Sequence, residues 1–480
     1  MNRTLNFCTL AATLVAASSL HAQAPKTDAI LASLDARSAH YSGIAKQIWG
    51  FAELGYLETR SSALLQSELS QAGFRMKSGL AGIPTAFTAE YGSGKPVIAI
   101  LGEFDALPGL SQDTIPTLHP LVAGAPGHGC GHNLLGSASM ASAIAVKEWM
   151  IANKIAGTLR FYGTPAEEGG GGKVYLLRDG FMSDVDAVVT WHPSDQNDIA
   201  ASSTTANVSG KFRFHGISAH AAAAPQQGRS ALDAVEIMDV MTNFMREHVP
   251  QETRIHYVIT NGGKAPNVVP DFAEVYYTVR HNDMRVVNDV WDRVVNAAKG
   301  AALGTGTTFD VEIVNSVYNR LVNETLSKVG QRALERVGGY SYTPAELAWA
   351  EQLQKSLANS ALPLASVKSV KPLDFTTPPA FSSTDVGDVS WNIPTVEVLS
   401  ATYVPGTPAH SWQAAATAGM SIGSKGMMVA AKTMALTAAE LFTSPATIAQ
   451  AKAELVRTRG ADFKYASRVG SQKPPLDYRK

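Results

Sequence analysis

Residues 96–105 read PVIAILGEFD, an apolar run that ends in a loop with two carboxylates. An uninterrupted run of this length is typical of a strand that is buried on both faces, as in a parallel sheet. Glu103 and Asp105 follow the carboxyl end of that strand, which is where open α/β sheets bind their ligands. This stretch therefore predicts an α/β fold with a functional site at the strand ends.

Two further apolar runs of strand length follow at 157–162 and 187–191. Small residues at 136–145, between the first two strands, predict a helix that packs closely on a sheet. An amphipathic helix is also expected at 61–72. Strands that alternate with helices indicate a mostly parallel sheet with helices on both faces.

The pattern changes near Ala206, where residues begin to alternate as they do in a strand with one solvent-facing side. Strands and helices of a compact α+β unit are expected at 208–214, 229–246, 254–259, 273–280 and 284–299. After about Val314 the chain returns to long helices and to an apolar run at 394–399. We therefore expect a main domain formed by 23–205 and 316–480, interrupted by an inserted domain at 206–315.

Composition agrees with two cores and excludes some partners. A chain of 480 residues, 45% of them hydrophobic, exceeds what one core usually supports. The 40 Lys and Arg residues nearly balance 41 Asp and Glu residues, for a formal net charge of −1. With no basic stripe, nucleic acid and anionic membranes are not expected as partners.

Residues 1–22 have the features of a secretory signal peptide: Arg3 near the start, a modest apolar stretch and small residues before Ala22. The stretch is too short to span a bilayer, and the competing interpretation is an N-terminal helix that frays. Cleavage after Ala22 predicts a periplasmic or secreted protein. It also removes Cys8 and leaves Cys130 as the one remaining cysteine, which must then be buried, reactive or bound to a metal.

Residues 127–133, GHGCGHN, form the densest cluster of metal-preferring side chains. Cys130 and His132 are separated by one glycine, so both can face one point in an extended segment. Thiolate and imidazole are preferred ligands of zinc and comparable divalent ions. A glycine-rich loop can also be merely structural, so the cluster alone is a moderate signal.

Glu167 and Glu168 follow the expected strand at 157–162 and precede a run of glycines. Neighbouring side chains of an extended segment point in opposite directions, so one carboxylate can bind a metal while the other activates water. His192, at another strand exit, and the distant His410 complete the candidate set. An exposed Glu pair and isolated histidines with local hydrogen bonds are the competing interpretations.

Several ordered motifs together resemble the dinuclear metallohydrolases that include glutamate carboxypeptidase, aminoacylase and the hydrolases of amino-acid conjugates. Within them the chain looks closest to aminobenzoyl-glutamate hydrolases of the B type. The resemblance covers about residues 44–441. Its motifs are EFDALP (103–108), GHGCGHN (127–133), PAEE (165–168), WHP (191–193), SAHA (218–221), NVVP (267–270), STDVGD (383–388) and PAH (408–410).

The resemblance implies a role for each candidate residue. Glu167 is expected to be the general acid/base, and Asp105 to orient a ligand imidazole. His220 of the inserted dimerisation (lid) domain is expected to reach into the site of the other protomer and stabilise the oxyanion, while Asn267 and Arg280 hold the substrate's terminal carboxylate. The implied metal ligands, for one or two zinc or manganese ions, are Cys130, His132, Glu168, His192 and His410.

Each of these roles has a local alternative: a turn cap for Asp105, a local hydrogen bond for His220, a surface ion pair for Arg280, and turn stabilisation for Asn267. The implied reaction is hydrolysis of an N-acyl or N-aroyl amino acid such as p-aminobenzoyl-glutamate, by a homodimer or with a related partner chain. Two alternatives stay open. One is a secreted dipeptidase, aminopeptidase or carboxypeptidase that acts on free peptides, and the other is an exported binding protein without catalytic activity.

Two positions depart from the pattern of many relatives: Thr384 precedes Asp385 where a Glu is common, and Asn133 stands where conjugate hydrolases have Asp. Both differences favour the B type of aminobenzoyl-glutamate hydrolase and weaken the transfer of a plant-conjugate substrate. The stretch 362–384, rich in Pro and Ser, carries no motif before Ser383 and is a candidate wall of the substrate pocket.

Overall fold

The computed structural model describes residues 26–358 and 362–479. The signal peptide predicted at 1–22, with Cys8, lies outside the described residues and stays a prediction. In the described part of the chain, no helix combines the length and apolar character that a bilayer span needs.

The described chain contains thirteen α-helices and eleven strands. The helices are α1 (Asp28–Ala36), α2 (Ser38–Phe51), α3 (Thr59–Gln71), α4 (His132–Asn153), α5 (Gly172–Arg178), α6 (Ala231–Met245), α7 (Met284–Thr305), α8 (Glu324–Val337), α9 (Pro344–Gln354), α10 (Val386–Asn392), α11 (Trp412–Ala418), α12 (Ser421–Thr443) and α13 (Pro445–Arg459). The strands are β1 (Arg75–Ser78), β2 (Phe87–Ser93), β3 (Val97–Gly102), β4 (Gly157–Gly163), β5 (Ala187–Ser194), β6 (Asp198–Ile199), β7 (Ala206–His215), β8 (Arg254–Asn261), β9 (Phe272–His281), β10 (Thr308–Val317) and β11 (Thr395–Ala401).

The large sheet has seven strands in the order β1-β2-β4-β3-β5-β11-β6. Its four central strands, from β4 to β11, are parallel, which confirms the α/β fold class. The edges are antiparallel: β1 and β2 on one side, and β6 on the other. The sequence did not predict β1 and β2, because RMKS and FTAEYGS carry charged or small residues instead of an apolar run.

Helix α4 lies directly against the large sheet, and its small residues permit this close packing. A side chain added at Gly136 would come within 2.8 Å of the Glu103 carbonyl oxygen at the end of β3. Helix α4 also packs against α2 and α12, and together they bury one face of the sheet. The close approach places the beginning of α4 beside the carboxyl ends of the central strands.

The second sheet has four strands in the order β10-β7-β9-β8, all antiparallel. On β9, alternate residues such as Val275, Tyr277 and Val279 are buried against α6 and α7. Tyr276, Thr278 and Arg280 therefore lie on the opposite face, as the two-residue period of a strand requires. This sheet is built from residues 206–317, and the division into domains at 205/206 and 315/316 stays a prediction.

Candidate metal centre

The carboxyl ends of the parallel strands bring the candidate ligands to one edge of the large sheet. Each candidate lies at such an end or beside it: Glu103 and Asp105 after β3, Glu167 and Glu168 after β4, His192 within the end of β5, His410 in the loop after β11, and Cys130 and His132 at the start of α4. Convergence of this kind follows from the parallel arrangement, because the four strands all end on the same side.

Two groups of potential ligand atoms share the sulfur of Cys130. The first group consists of Cys130 Sγ and one ring nitrogen each of His132 and His192, and these three atoms lie within 4.8 Å of one another. The second group consists of the same sulfur, a carboxylate oxygen of Glu168 and a ring nitrogen of His410, also within 4.8 Å of one another. The structure thus brings all five predicted ligands together, in two adjacent groups with the thiol between them.

Hydrogen bonds orient the buried His132 ring and the half-buried His192 ring. His192 Nδ1 donates to the carbonyl oxygen of Pro193 at 2.8 Å, and His192 Nε2 lies 3.4 Å from Cys130 Sγ. His132 Nδ1 donates to Asp105 Oδ1 at 2.9 Å. In both rings the Nδ1 proton is engaged, so the Nε2 lone pair is left for another partner.

Asp105 is almost completely buried and has two acceptor roles. Besides the His132 ring, it accepts a hydrogen bond at Oδ2 from the backbone amide of Glu168 at 2.9 Å. Burial alone would raise the pKa of Asp105, but the His132 imidazole and these hydrogen bonds lower it below its ordinary value. The side chain therefore links the Cys130 loop to the Glu168 turn, and it does not cap a turn after β3.

The donor set fits a divalent cation. Among the residues that the structure describes, His132 Nε2, Glu168 Oε1 and Glu103 Oε2 are buried atoms that make no hydrogen bond. His132 Nε2 lies 3.3 Å from Glu103 Oε2, and Glu168 Oε1 lies 3.2 Å from His410 Nε2. A divalent cation would be a common partner for these electron-pair donors, because buried polar atoms are usually paired. Burial and the Glu168 carboxylate raise the pKa of the Cys130 thiol, so a thiolate there requires nearby positive charge. Thiolate, imidazole and carboxylate together suit zinc and related ions.

Glu167 and Glu168 face different neighbours, although not for the reason expected from the sequence. They lie in a turn and not in an extended segment, with Gly170 N donating to the Ala166 carbonyl oxygen at 3.0 Å. Ala166 has a left-handed backbone with φ of 57°, a strained conformation that is common at functional sites. Glu58 stabilises this turn, because its Oε1 accepts the Ala166 amide proton at 2.8 Å.

The turn leaves Glu167 at the cavity wall, with a carboxylate oxygen grouped within 4.8 Å of atoms from Glu103 and His132. Burial, followed by the negative charges of Glu103 and Glu168, raises the pKa of Glu167 well above its ordinary value. A carboxyl group that lines the cavity beside the candidate ligands is placed to accept and return a proton, which is what a general acid/base must do.

Lys173 is a site residue that the sequence analysis missed. It is fully buried in α5, and its Nζ donates to Glu103 Oε1 and to Asp385 Oδ1, both at 2.6 Å. These two carboxylates hold the pKa of Lys173 above its ordinary value despite burial. A single Lys after a glycine run gave no local signal, because its partners are 70 and 212 residues away.

A cavity of about 1030 Å³ lies between the metal-binding residues and the face of the second sheet that carries Tyr276, Thr278 and Arg280. Cys130, Glu167, His192 and His410 line one side of the cavity, and Arg280 lines the other. Residues of the Pro- and Ser-rich stretch 362–384 also line the cavity, as expected of a pocket wall: Lys371, Pro372, Asp374, Thr377, Ala380 and Ser382–Thr384.

Of the residues predicted to contact the substrate, Arg280 lines the cavity, whereas His220 and Asn267 lie elsewhere. Arg280 lines the cavity, and its Nη1 donates to Ser383 Oγ at 3.2 Å without an ion pair to any described carboxylate. His220 and Asn267 lie on neighbouring exposed segments within residues 206–317, which form the second sheet and its helices, and they do not line the cavity. His220 Nδ1 accepts from the amides of Ala222 and Ala223 at 3.2 and 3.1 Å, so its Nε2 is turned away from these amides.

Comparison with known proteins gives the family. Residues 203–305 match the peptidase dimerisation domain of the M20 type. The chain is 43% identical over 437 residues to the B subunit of p-aminobenzoyl-glutamate hydrolase from Escherichia coli K12, a match that covers 85% of this chain and 90% of that protein. It is 31% identical to Xaa-Arg dipeptidase of Mus musculus, over 61% of this chain and 67% of the relative.

Solved structures agree on the fold. An aminobenzoyl-glutamate utilization protein from Klebsiella pneumoniae aligns with a TM-score of 0.61 and 17% identity, over 85% of this chain and 97% of that one. The YXEP protein of Bacillus subtilis, described as a dinuclear metal binding peptidase of the M20 family, aligns with a TM-score of 0.56 and 18% identity, over 85% and 99%. By its high identity to one relative over most of both sequences, this chain belongs to the M20 family of metal-dependent amidohydrolases and peptidases.

Proposed function

We propose that this M20 enzyme hydrolyses the amide bond of N-acyl or N-aroyl amino acids, with p-aminobenzoyl-glutamate as the model substrate. The observation that carries the proposal is the Cys130-centred ligand set beside Glu167, which faces a cavity with an unpaired arginine on its opposite wall. The names of the relatives support the same reaction class: one belongs to a p-aminobenzoyl-glutamate hydrolase, and others are an N-acetyl-L-cysteine deacetylase and an IAA-amino acid hydrolase.

Two divalent ions are the proposed cofactor. The two ligand groups that share Cys130 support two positions, one near His132 and His192 and one near Glu168 and His410. Thiolate and imidazole ligands favour zinc, whereas the carboxylate is also compatible with manganese. Such ions lower the pKa of bound water and polarise the scissile carbonyl group.

The chain's own residues account for the remaining steps. Glu167 accepts a proton from the attacking water at its carboxylate and donates it to the leaving nitrogen. Asp105 keeps the His132 ring in one orientation throughout, because its Oδ1 holds the Nδ1 proton. Arg280 binds the terminal carboxylate of the substrate, for which a planar guanidinium offers two parallel hydrogen bonds.

His220 and Asn267 act, in this proposal, in the site of a second protomer. Both are exposed and lie within the segment that matches the dimerisation domain. An imidazole from the neighbouring protomer then donates to the oxyanion that forms on the carbonyl oxygen. A homodimer satisfies this requirement. A related but different partner chain satisfies it too, and the relatives include both kinds of p-aminobenzoyl-glutamate hydrolase chain.

The substrate class is tested first with a panel of amides. We expect hydrolysis of N-benzoyl and N-acetyl amino acids and of p-aminobenzoyl-glutamate, because nothing in the proposed site requires a free amine. The measurement is release of the free amino acid, followed by mass spectrometry. A protein that cleaves free dipeptides but none of the N-blocked compounds is instead the dipeptidase or aminopeptidase that the Xaa-Arg dipeptidase relative suggests.

Replacing Glu167 by Gln removes the proton acceptor and keeps the size of the side chain. General acid/base groups contribute about 10²- to 10⁴-fold, so we expect kcat to fall by at least about 100-fold. Elemental analysis of the same preparation should show an unchanged metal content, since Glu167 is not among the proposed ligands. Retained activity contradicts the assignment, and lost metal shows that Glu167 is a ligand.

Complementation tests whether His220 acts across the interface. Glu167→Gln and His220→Ala should each be inactive alone. When the two variants are refolded together or coexpressed, the mixture should regain about a quarter of wild-type activity. Half of the dimers then contain one chain of each variant, and each such dimer has one site with both an intact Glu167 and an intact His220 from the other chain. As the control, light scattering of the pure wild-type protein should give the mass of a dimer. If His220 acts within its own protomer, the mixture stays inactive.

A further inference from the structure

The segment that follows α13, residues 460–479, contacts α10, α7 and α5 and is anchored along its length. Tyr465 Oη donates to Asp388 Oδ1 at 2.7 Å beside α10. Arg468 pairs with Asp292 of α7 at 2.9 Å, and Val469 is buried in the core under α5. The carbonyl oxygen of Gly470 accepts from Arg178 Nη1 at 3.2 Å. These contacts give the segment a fixed course towards the metal centre.

Its last two described residues contact the metal-binding turn directly. Tyr478 Oη and Arg479 Nη2 both donate to the carbonyl oxygen of Glu168, at 3.0 and 2.7 Å. The Tyr478 ring also packs edge-on against Tyr56, with ring centroids 5.6 Å apart. A side chain at Gly55 would come within 2.3 Å of Tyr478 Oη, so the glycine leaves the space that the Tyr478 hydroxyl occupies.

Arg479 is held in place but its charge is not neutralised. In the described chain no carboxylate pairs with it, and its Nε is buried without a hydrogen-bond partner. The side chain lines the cavity together with Glu167, Tyr276 and Arg280. Arg280 lines the same cavity, and like Arg479 it has no ion pair to a described carboxylate.

A partly buried guanidinium without an anion is unfavourable, and a carboxylate is its best geometric match. Two such groups in one cavity therefore fit a ligand with two carboxylates. The terminal carboxylate of an amino acid accounts for one, which leaves an acidic side chain for the other. Neutral side chains would leave one guanidinium unpaired.

We propose that Arg479 is a specificity-determining residue that binds an acidic side chain on the amino acid of the substrate, while Arg280 binds the terminal carboxylate. This proposal rests on the proposed amidohydrolase function for its kinetic consequence, although binding alone can test it. It assigns the segment 460–479 a part in the substrate pocket, beyond the catalytic loops at the strand ends.

The test compares N-benzoyl-L-glutamate with N-benzoyl-L-glutamine, which differ in the charge of one side-chain group. Wild type should prefer the glutamate compound. In Arg479→Gln we expect kcat/KM for that compound to fall about 10- to 100-fold through KM, as loss of a charge-assisted hydrogen bond implies, with little change for the glutamine compound. Arg479→Lys should retain part of the preference, because it keeps the charge.

Lys473→Gln is the matched control, since it removes a positive charge from the same segment at an exposed position. It should leave both substrates unaffected. Equal losses for both substrates in Arg479→Gln would show that Arg479 only supports the Glu168 turn, and an intact glutamate preference would show that it does not contact the side chain. Either result overturns the proposal.

A binding measurement separates this proposal from the proposed function. Calorimetry with free L-glutamate and L-glutamine needs no turnover: wild type should bind glutamate more tightly, and Arg479→Gln should bind the two equally. If wild type hydrolyses neither benzoyl compound but shows this difference in binding, the proposed reaction fails and the role of Arg479 stands. Equal binding of both amino acids by wild type contradicts the role of Arg479.

Discussion

The site depends on how the protein accommodates a concentration of negative charge at the ends of its parallel strands. Glu103, Asp105, Glu168 and Asp385 are all buried there, and Glu167 lies beside them at the cavity wall. Like charges in a low-dielectric interior repel strongly, so such a cluster requires cations among its members or protonation of some of its carboxylates. Lys173 supplies one cation at the inner end, and the proposed metal ions supply the others at the cavity.

Lys173 therefore does more than neutralise charge. Its side chain joins Glu103 after β3 to Asp385 before α10, and its backbone amide donates to the second oxygen of Asp385 at 2.9 Å. The inner carboxylates are thereby immobilised behind the ligands. Asp105 does the same for His132 and the Glu168 turn. A metal site built on such supports is held in place before the ion binds.

Much of the fold followed from local sequence patterns. The central strands were predicted because buried parallel strands are continuous apolar runs. Metal-preferring residues near strand ends made a metal site the expectation, and the resemblance to the dinuclear metallohydrolases implied which five residues are its ligands. The turn at Glu167 and Glu168 was misjudged as extended, since its shape depends on Glu58, 108 residues away from Ala166. The edge strands β1 and β2 carry no apolar run and were missed.

The other missed residues act through distant partners. Lys173 pairs with Asp385, and Arg479 meets Glu168 across 311 positions of the chain. No periodicity or spacing signals such contacts, because they arise only when the strands have been ordered in the sheet. The stretch 362–384 was expected only in general terms, as a candidate wall of the pocket. Its cavity-lining residues were not predicted one by one, since most of the stretch has neither a motif nor regular structure.

The central claim is that the two ligand groups that share Cys130 would hold divalent metal ions, and elemental analysis of the purified protein tests it most directly. We expect about two equivalents of zinc or manganese per chain in wild type, as in other two-metal hydrolytic sites. Cys130→Ser should lose most of both ions, since the sulfur belongs to both ligand groups, whereas His119→Ala at an exposed position should lose neither. Full metal content in Cys130→Ser, or no metal in wild type even after addition of zinc, manganese or cobalt, would contradict the account.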